Sequence, residues 1–336
     1  MDLRSHYLGL ELKNPLVPSA SPLSRSLDTA RQLEDAGAAA LVMYSLFEET
    51  MQVQEAHQLR LLEQRDVGHS EATSFLPQSV AGDDELESYL EQIRRLKESL
   101  EIPVIASLNG VSLNGWVENG KLLAEAGADA LELNAYTVAA NPTISGNEME
   151  QHYIALLKEL RAVVDIPITV KLSPYFSSLG NFVVQLQAAG ANGVSLFNRF
   201  YQPDIDIDSL RLSTTLHLSR SDDALLAMRW LGILRGKVKL SLAATGGVHN
   251  HEDAIKLILA GADITHLCSV LLRHGPRHLR RIHDGIVHWL DDSPYETLDQ
   301  ARGVLAHNQI SDPSAYERAN YVQMLAGYEL NSSGWR

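Results

Sequence analysis

The stretch Asp35-Ala-Gly-Ala-Ala-Ala-Leu-Val-Met43 decides the fold, because the chain repeats it three times. It returns as Glu125-Ala-Gly-Ala-Asp-Ala-Leu-Glu-Leu133, as Ala188-Ala-Gly-Ala-Asn-Gly-Val-Ser-Leu196 and as Leu259-Ala-Gly-Ala-Asp-Ile-Thr-His-Leu267. Each copy follows a helical pattern and runs into an apolar strand. The glycine permits a left-handed turn that closes the helix. The small alanines let helix and strand approach closely. The unit is helix–turn–strand, used four times.

Between the copies lie further strands. Ile102-Pro-Val-Ile-Ala-Ser-Leu108 and Ile166-Pro-Ile-Thr-Val-Lys-Leu172 carry proline at their starts, where a strand tolerates it. Val238-Lys-Leu-Ser-Leu-Ala-Ala244 and Pro15-Leu-Val-Pro-Ser-Ala20 complete a set of eight, near 15–20, 39–44, 103–108, 130–135, 168–173, 193–198, 239–244 and 263–268. Helical patterns follow most of them, at Leu86–Ser99, Gly115–Ala126 and Asn147–Val163 among others. Strands alternating with helices imply a parallel sheet. Eight units predict a (β/α)8 TIM barrel, which needs ~250 residues, with a doubly wound open sheet as the structural rival.

The surplus lies in long insertions after strands 2 (about 45–85) and 6 (about 199–221) and in a C-terminal helical tail. Alternation through Ile205–Leu212 predicts a small hairpin. Ser293-Pro294 and Asp312-Pro313 read as two helix starts in the tail. The expected organisation is a barrel over 1–290 with a packed helical extension over 291–336.

The 336 residues are 45% hydrophobic and 21% charged, a soluble globular balance. Net charge is −14, which disfavours nucleic acid. The single cysteine, Cys268, excludes an internal disulfide, a Cys-rich zinc site or an iron–sulfur cluster within this chain. Any redox chemistry therefore borrows an organic cofactor. Met1–Leu12 is charged and unlike a signal peptide, and no apolar run approaches ~18 residues. The expectation is a cytoplasmic protein away from the membrane.

Barrel chemistry sits at the C-terminal ends of strands. Strand 7 ends in Ala244-Thr245-Gly246-Gly247 and strand 8 in Leu267-Cys268-Ser269, two small-residue loops of the type that holds phosphate on backbone N–H groups. Read alone, Gly246-Gly247 is also a plain tight turn. Strand 5 carries Lys171 among apolar neighbours. A buried cation needs either a structural carboxylate or an anionic ligand. Asn109, Asn134 and Asn198 close strands 3, 4 and 6, either as turn residues or as hydrogen-bonding partners of one planar ligand. His274 and His278, four apart at the start of the last barrel helix, lack a third zinc ligand. His249, His251 and Glu48-Glu49 read as solvated, and Cys268 as an inert thiol in the phosphate loop.

These residues resemble the dihydroorotate dehydrogenases, FMN-dependent (β/α)8 barrels, over roughly 5–290. The likeness rests on Leu8-Gly-Leu-Glu-Leu-Lys-Asn-Pro-Leu16, Glu132-Leu-Asn134, Val170-Lys-Leu-Ser-Pro174, Asn198, Ala244-Thr-Gly-Gly247 with Glu252-Asp253, and Gly261-Ala-Asp263 through Gly275-Pro276. Asp312-Pro-Ser-Ala-Tyr-Glu-Arg-Ala-Asn-Tyr321 is similar to a dihydroorotate dehydrogenase-like branch. The resemblance implies FMN contacts at Ala20, Ser21, Ser45, Asn109, Lys171, Gly246, Gly247, Cys268 and Ser269. It implies pyrimidine contacts at Asn134 and Asn198, no metal, a homodimer and a separate electron-transfer partner. The counterpart of Lys171 contacts the flavin and favours its reduced, anionic ring.

Three departures stand out. The family's loop after strand 4 reads Asn-x-Ser-Cys-Pro-Asn or Asn-x-Ser-Ser-Pro-Asn, with the Cys or second Ser as base. Here it reads Asn134-Ala-Tyr-Thr-Val-Ala139, which puts Thr137 at the base position and Tyr136 beside it. Tyr44, ahead of Ser45, replaces a lysine found in members with Lys-Ser after strand 2, and Cys268 replaces a usual glycine. The expected activity is oxidation of dihydroorotate to orotate, a step of pyrimidine biosynthesis. The alternatives are FMN chemistry on another small cyclic substrate, or a flavin-binding scaffold that has lost catalysis.

Overall fold

A computed structural model describes residues 1–48, 85–109, 113–134, 137–199, 202–213 and 215–317. A short antiparallel hairpin, β1 (Ser5–Tyr7) and β2 (Leu10–Leu12), opens the chain. Eight parallel strands follow: β3 (Leu16–Pro18), β4 (Leu41–Phe47), β5 (Val104–Asn109), β6 (Ala130–Asn134), β7 (Ile168–Leu172), β8 (Gly193–Leu196), β11 (Ser241–Thr245) and β12 (Ile264–Leu267). Between β8 and β11 lies a small antiparallel hairpin, β9 (Asp204–Asp206) with β10 (Arg211–Ser213), where alternation predicts one.

The sheet order is β3-β12-β11-β8-β7-β6-β5-β4. At the seam, the Ala39 N–H donates to the Leu16 carbonyl at 3.0 Å and draws β3 and β4 together. The result is the (β/α)8 barrel, with helices between successive strands.

The repeat builds this barrel through one turn. In all four copies the N–H of the residue after glycine donates to the carbonyl five residues earlier: Ala38 to Leu33, Ala128 to Leu123, Ala191 to Leu186 and Ala262 to Leu257. The glycines have φ between +103° and +128°, the left-handed geometry this closure requires. The next residue staples the neighbouring strand. Asp129 accepts the Val104 N–H at 2.7 Å, Asn192 that of Ile168 at 2.9 Å and Asp263 that of Leu242 at 2.8 Å. The repeat therefore ends a helix, starts its own strand and, in three copies, pins the start of the strand before it.

The N-terminal hairpin plugs the bottom. Tyr7, Leu8 and Leu12 cluster with Val17, Val42, Ile105, Ala130, Ala243 and Ile264, which line the lower interior. The Tyr7 hydroxyl donates to Thr169 Oγ1 at 3.2 Å. The helices cover the outside with a second apolar layer.

The tail departs from the sequence reading. Ser293 ends the helix His278–Asp292 rather than starting another, and its hydroxyl donates to the Leu290 carbonyl. The next helix is Leu298–Ala301, because Thr297 and Gln300 form a reciprocal capping box there. Asp312 behaves as expected and accepts from the Ser314 N–H ahead of the helix Ser314–Glu317. Residues beyond 317, and the insertion over 49–84, lie outside the described residues. Glu48 is buried, not solvated, because β4 runs on to Phe47 and carries it against the barrel.

Arg302 ties the tail to the barrel bottom. Its buried guanidinium donates to the Ala262 and Asp263 carbonyls and to Ser5 Oγ at 3.0 Å. Arg302→Leu removes these donors and strands buried acceptors, so it should cost about 2–4 kcal/mol in urea unfolding. A loss below about 0.5 kcal/mol would show the tail to be independent of the barrel.

Candidate functional site

Side chains along a strand alternate, so every second residue points into the barrel. Above the apolar lower layer the interior turns polar. Ser107, Glu132, Lys171, Ser195, Thr245 and His266 are all buried there. In β4 a register shift between Val42 and Ser45 sets Ser45 opposite Ser107, with the two hydroxyls 2.9 Å apart. A bulge thus lets one strand offer inward residues three apart.

Glu132 is fully buried and accepts from Ser195 Oγ at 3.3 Å and from Lys171 Nζ at 3.4 Å. Lys171 is 7% exposed. This lysine therefore has a structural carboxylate below, and it lines a cleft above. An ammonium carries three N–H groups, and Glu132 takes one.

The cleft has a volume of about 490 Å³, within the roughly 300–1,000 Å³ of small-molecule sites. It brings together Ala20, Ser21, Ser45, Asn109, Asn134, Lys171, Asn198, Gly246, Gly247, Cys268 and Ser269, all singled out in the sequence. Asn134 and Asn198 bond each other as well as facing the cleft. The Asn198 amide donates to Asn134 Oδ1, and the Asn134 amide donates to Ser45 Oγ at 3.3 Å. This ladder fixes their remaining polar atoms in one orientation. Thr137 stands apart: it is exposed, lies outside the cleft lining and hydrogen-bonds Tyr153. Tyr136 lies outside the described residues.

The Gly-Gly loop has φ of +91° at Gly246 and +79° at Gly247. A Cβ on Gly246 meets nothing within 4 Å, whereas one on Gly247 would stand 2.3 Å from the backbone nitrogen of Ala224. The loop therefore abuts the start of the helix Ala224–Leu234 and leaves open space on its cleft side. Ser269 Oγ accepts the Ser219 N–H at 3.1 Å, which joins the insertion after β8 to the β12 loop. Cys268 has φ −134°, outside the left-handed region that calls for glycine. Burial pushes its thiol pKa up, consistent with an inert role.

The histidines are less free than the sequence suggests. His249 Nε2 lies 3.0 Å from Ser219 Oγ, and burial, then Arg273, lowers its pKa. His251 packs where a Cβ on Gly285 would stand. His274 and His278 stack with centroids 4.9 Å apart but belong to two helices, Ser269–His274 and His278–Asp292. Among the described residues no cluster of three or more His, Cys, Asp or Glu is placed to hold a metal. No described helix is long and apolar enough to cross a membrane.

Arg25 and His266 are among the lining residues that escaped the sequence reading. Arg25 reaches the cleft from the turn Pro22–Arg25, with its guanidinium 4.0 Å from the Tyr44 ring centroid. Tyr44 thus removes one cation and presents another. His266, 2% exposed, lines the cleft floor with neither ring nitrogen hydrogen-bonded. Among the described lining residues Arg25, Lys171 and Arg199 are cationic and none is a carboxylate. A chain of net charge −14 has gathered positive charge at one place, which suits an anionic ligand.

Burial holds the His266 imidazole down to about 4, from 6.5. Between these values the unfolded chain binds a proton that the folded chain excludes, so stability falls as pH drops through that window. The window is worth about 3 kcal/mol. Urea unfolding at about pH 7 and pH 4 should show the parent losing that much more than His266→Phe. Equal losses would mean that the ring is solvated.

A family model described as dihydroorotate dehydrogenase matches residues 2–290. The NAD-dependent dihydropyrimidine dehydrogenase subunit PreA of Escherichia coli (strain K12) is 24% identical, over 96% of this chain and 80% of its own. The catalytic subunit of dihydroorotate dehydrogenase B (NAD(+)) from Pyrococcus abyssi is 26% identical, over 90% and 98%. Dihydroorotate dehydrogenase A (fumarate) from Lactobacillus delbrueckii subsp. bulgaricus is 27% identical, over 76% and 83%. A parallel barrel whose strand ends gather Lys171, the asparagine ladder and the Gly246-Gly247 loop, together with a match over nearly its whole length, makes this chain a member of the dihydroorotate dehydrogenase family of oxidoreductases.

Proposed function

We propose that the chain is an FMN-dependent oxidoreductase that oxidises a dihydropyrimidine ring, with dihydroorotate the first substrate to test. The observation that carries this reading is the cationic cleft at the strand ends, free of lining carboxylates among the described residues. FMN fits what the residues offer. The open side of Gly246, with Ser269 on the adjoining loop, suits a phosphate. Lys171 and the Asn134–Asn198 ladder suit a polar ring system. FMN, when bound, supplies the two-electron acceptor that a single cysteine cannot.

The protein's own residues would divide the remaining work. Gly246, Gly247 and Ser269 hold the phosphate. Ala20, Ser21, Ser45, Asn109 and Cys268 line the cofactor. Lys171, kept in place by Glu132, offsets negative charge that builds up in the cleft during electron transfer. Asn134 and Asn198 orient the substrate ring. Removing a carbon-bound proton needs a base, and we assign it to Thr137 or to Tyr136 beside it, with water relaying the proton onward because an aliphatic hydroxyl is a poor base unaided. The Thr137 hydroxyl bonds Tyr153 outside the cleft lining, so this role requires it to leave that contact. Relay to Tyr153 gains little, because burial raises the pKa of that phenol. We further propose a homodimer and a partner chain that passes electrons onward. One cysteine cannot hold a cluster, and the similar proteins include named subunits.

A second reading keeps FMN and changes the substrate to another small cyclic molecule. Tyr44 in place of lysine and Thr137 outside the cleft favour it. Anaerobic titration separates the two. The protein should purify yellow and bleach with one member of a panel of dihydroorotate and reduced pyrimidines. Bleaching by dihydroorotate selects the first reading, and bleaching only by another ring selects the second.

Lys171→Ala should keep the flavin and slow its reduction on the order of 10²–10³-fold. An unchanged stopped-flow rate would confine Lys171 to pairing with Glu132. Thr137→Val should lower turnover with the same substrate. Full turnover in that variant would remove Thr137 as the base.

A further inference from the structure

We infer that His266 is a ligand-binding residue of the cleft floor, whose imidazole hydrogen-bonds the polar edge of a planar nitrogen heterocycle. On the reading above, on which this inference rests, that ring is the pyrimidine portion of the flavin.

The inference starts from an imbalance. A neutral imidazole has one N–H donor and one bare acceptor nitrogen, and a buried ring ordinarily satisfies both. Neither Nδ1 nor Nε2 of His266 has a partner within the protein, although the residue is 98% buried by its 2% exposure. The neighbours are already committed. The Tyr7 and His266 rings stand nearly perpendicular with centroids 6.4 Å apart, while the Tyr7 hydroxyl bonds Thr169. Glu132 accepts from Ser195 and Lys171. Across the strands His266 stands in register with Thr245 on β11 and Val17 on β3. The remaining open side is the cleft that His266 lines together with Lys171 and Cys268.

The chemistry of the partner follows. Held neutral at ordinary pH by burial, the ring does not attract an anion by charge, in contrast to Arg25 and Lys171. It selects a polar atom that accepts from its N–H or donates to its bare nitrogen. The pyrimidine portion of an isoalloxazine has alternating ring nitrogens and carbonyl oxygens of that kind. A purely structural histidine would have its partners inside the fold.

The test compares the parent, His266→Phe and His266→Gln in titrations with FMN and with riboflavin, which lacks the phosphate. His266→Phe deletes both nitrogens and should weaken both ligands by the same factor, about tenfold, the value of one hydrogen bond. His266→Gln restores a donor and an acceptor and should return affinity to within about threefold of the parent. Melting of the ligand-free proteins provides the second readout. His266→Phe should melt no lower than the parent at pH 7, since it removes two unsatisfied buried atoms. If the Phe ring does not fit, His266→Leu carries the same comparison.

Unchanged affinity of His266→Phe for both ligands, with the parent binding normally, overturns the inference and leaves the imidazole bonded to water alone. A loss confined to FMN places the effect at the phosphate and overturns it too. Failure of the parent to bind either flavin overturns the flavin reading itself, a separate result.

Discussion

Everything functional in this molecule is arranged around one buried contact, Lys171 with Glu132, inside a barrel. A barrel interior is normally filled with layers of branched apolar side chains. Here the lower layer obeys that rule and the upper layer does not. Desolvating an ammonium and a carboxylate is expensive, and their attraction offsets it only when further hydrogen bonds satisfy both. Ser195 serves Glu132 from one side, and the cleft is left to serve Lys171 from the other. A buried pair of that cost is a weak source of stability, and this one faces an open cavity.

The scaffold makes this placement possible by repeating one device. Four alike helix-closing turns deliver every second strand of the barrel, and three polar staples lock the start of the strand before. The bottom of the barrel is thereby rigid and is sealed by Tyr7. With the strand starts fixed, the strand ends are free to carry unlike residues. The bulge in β4 shows the same logic in reverse, where a local irregularity is accepted to aim Ser45 at Ser107 and Asn134.

The site was partly legible before any coordinates. Lys171 was conspicuous because a charge stood in an apolar run, and Gly246-Gly247 because two glycines ended a strand. His266 was equally unusual in Ile264-Thr-His-Leu267, but a histidine in a strand gives no sign of whether a partner awaits it. Arg25 was invisible. It sits in a serine-rich segment whose turn brings it over Tyr44 only once the chain is folded. Thr137 is the opposite case: the motif puts it at the position of the base, while in the fold its hydroxyl bonds Tyr153.

The sequence by itself determined what depends on local periodicity: the eight strands, the helices between them, the barrel, the hairpin at 204–213 and the strand ends at which chemistry gathers. Those features follow from the spacing of apolar residues and from glycines in left-handed turns, which are properties of neighbours along the chain. Only the tertiary structure decided that Asn134 and Asn198 bond each other, that Glu48 is buried, that Arg302 clamps the tail and that the cleft collects cations with no lining carboxylate among the described residues. Such pairings join residues tens to hundreds of positions apart. Their energies depend on burial and mutual orientation, and neither quantity exists until the barrel closes.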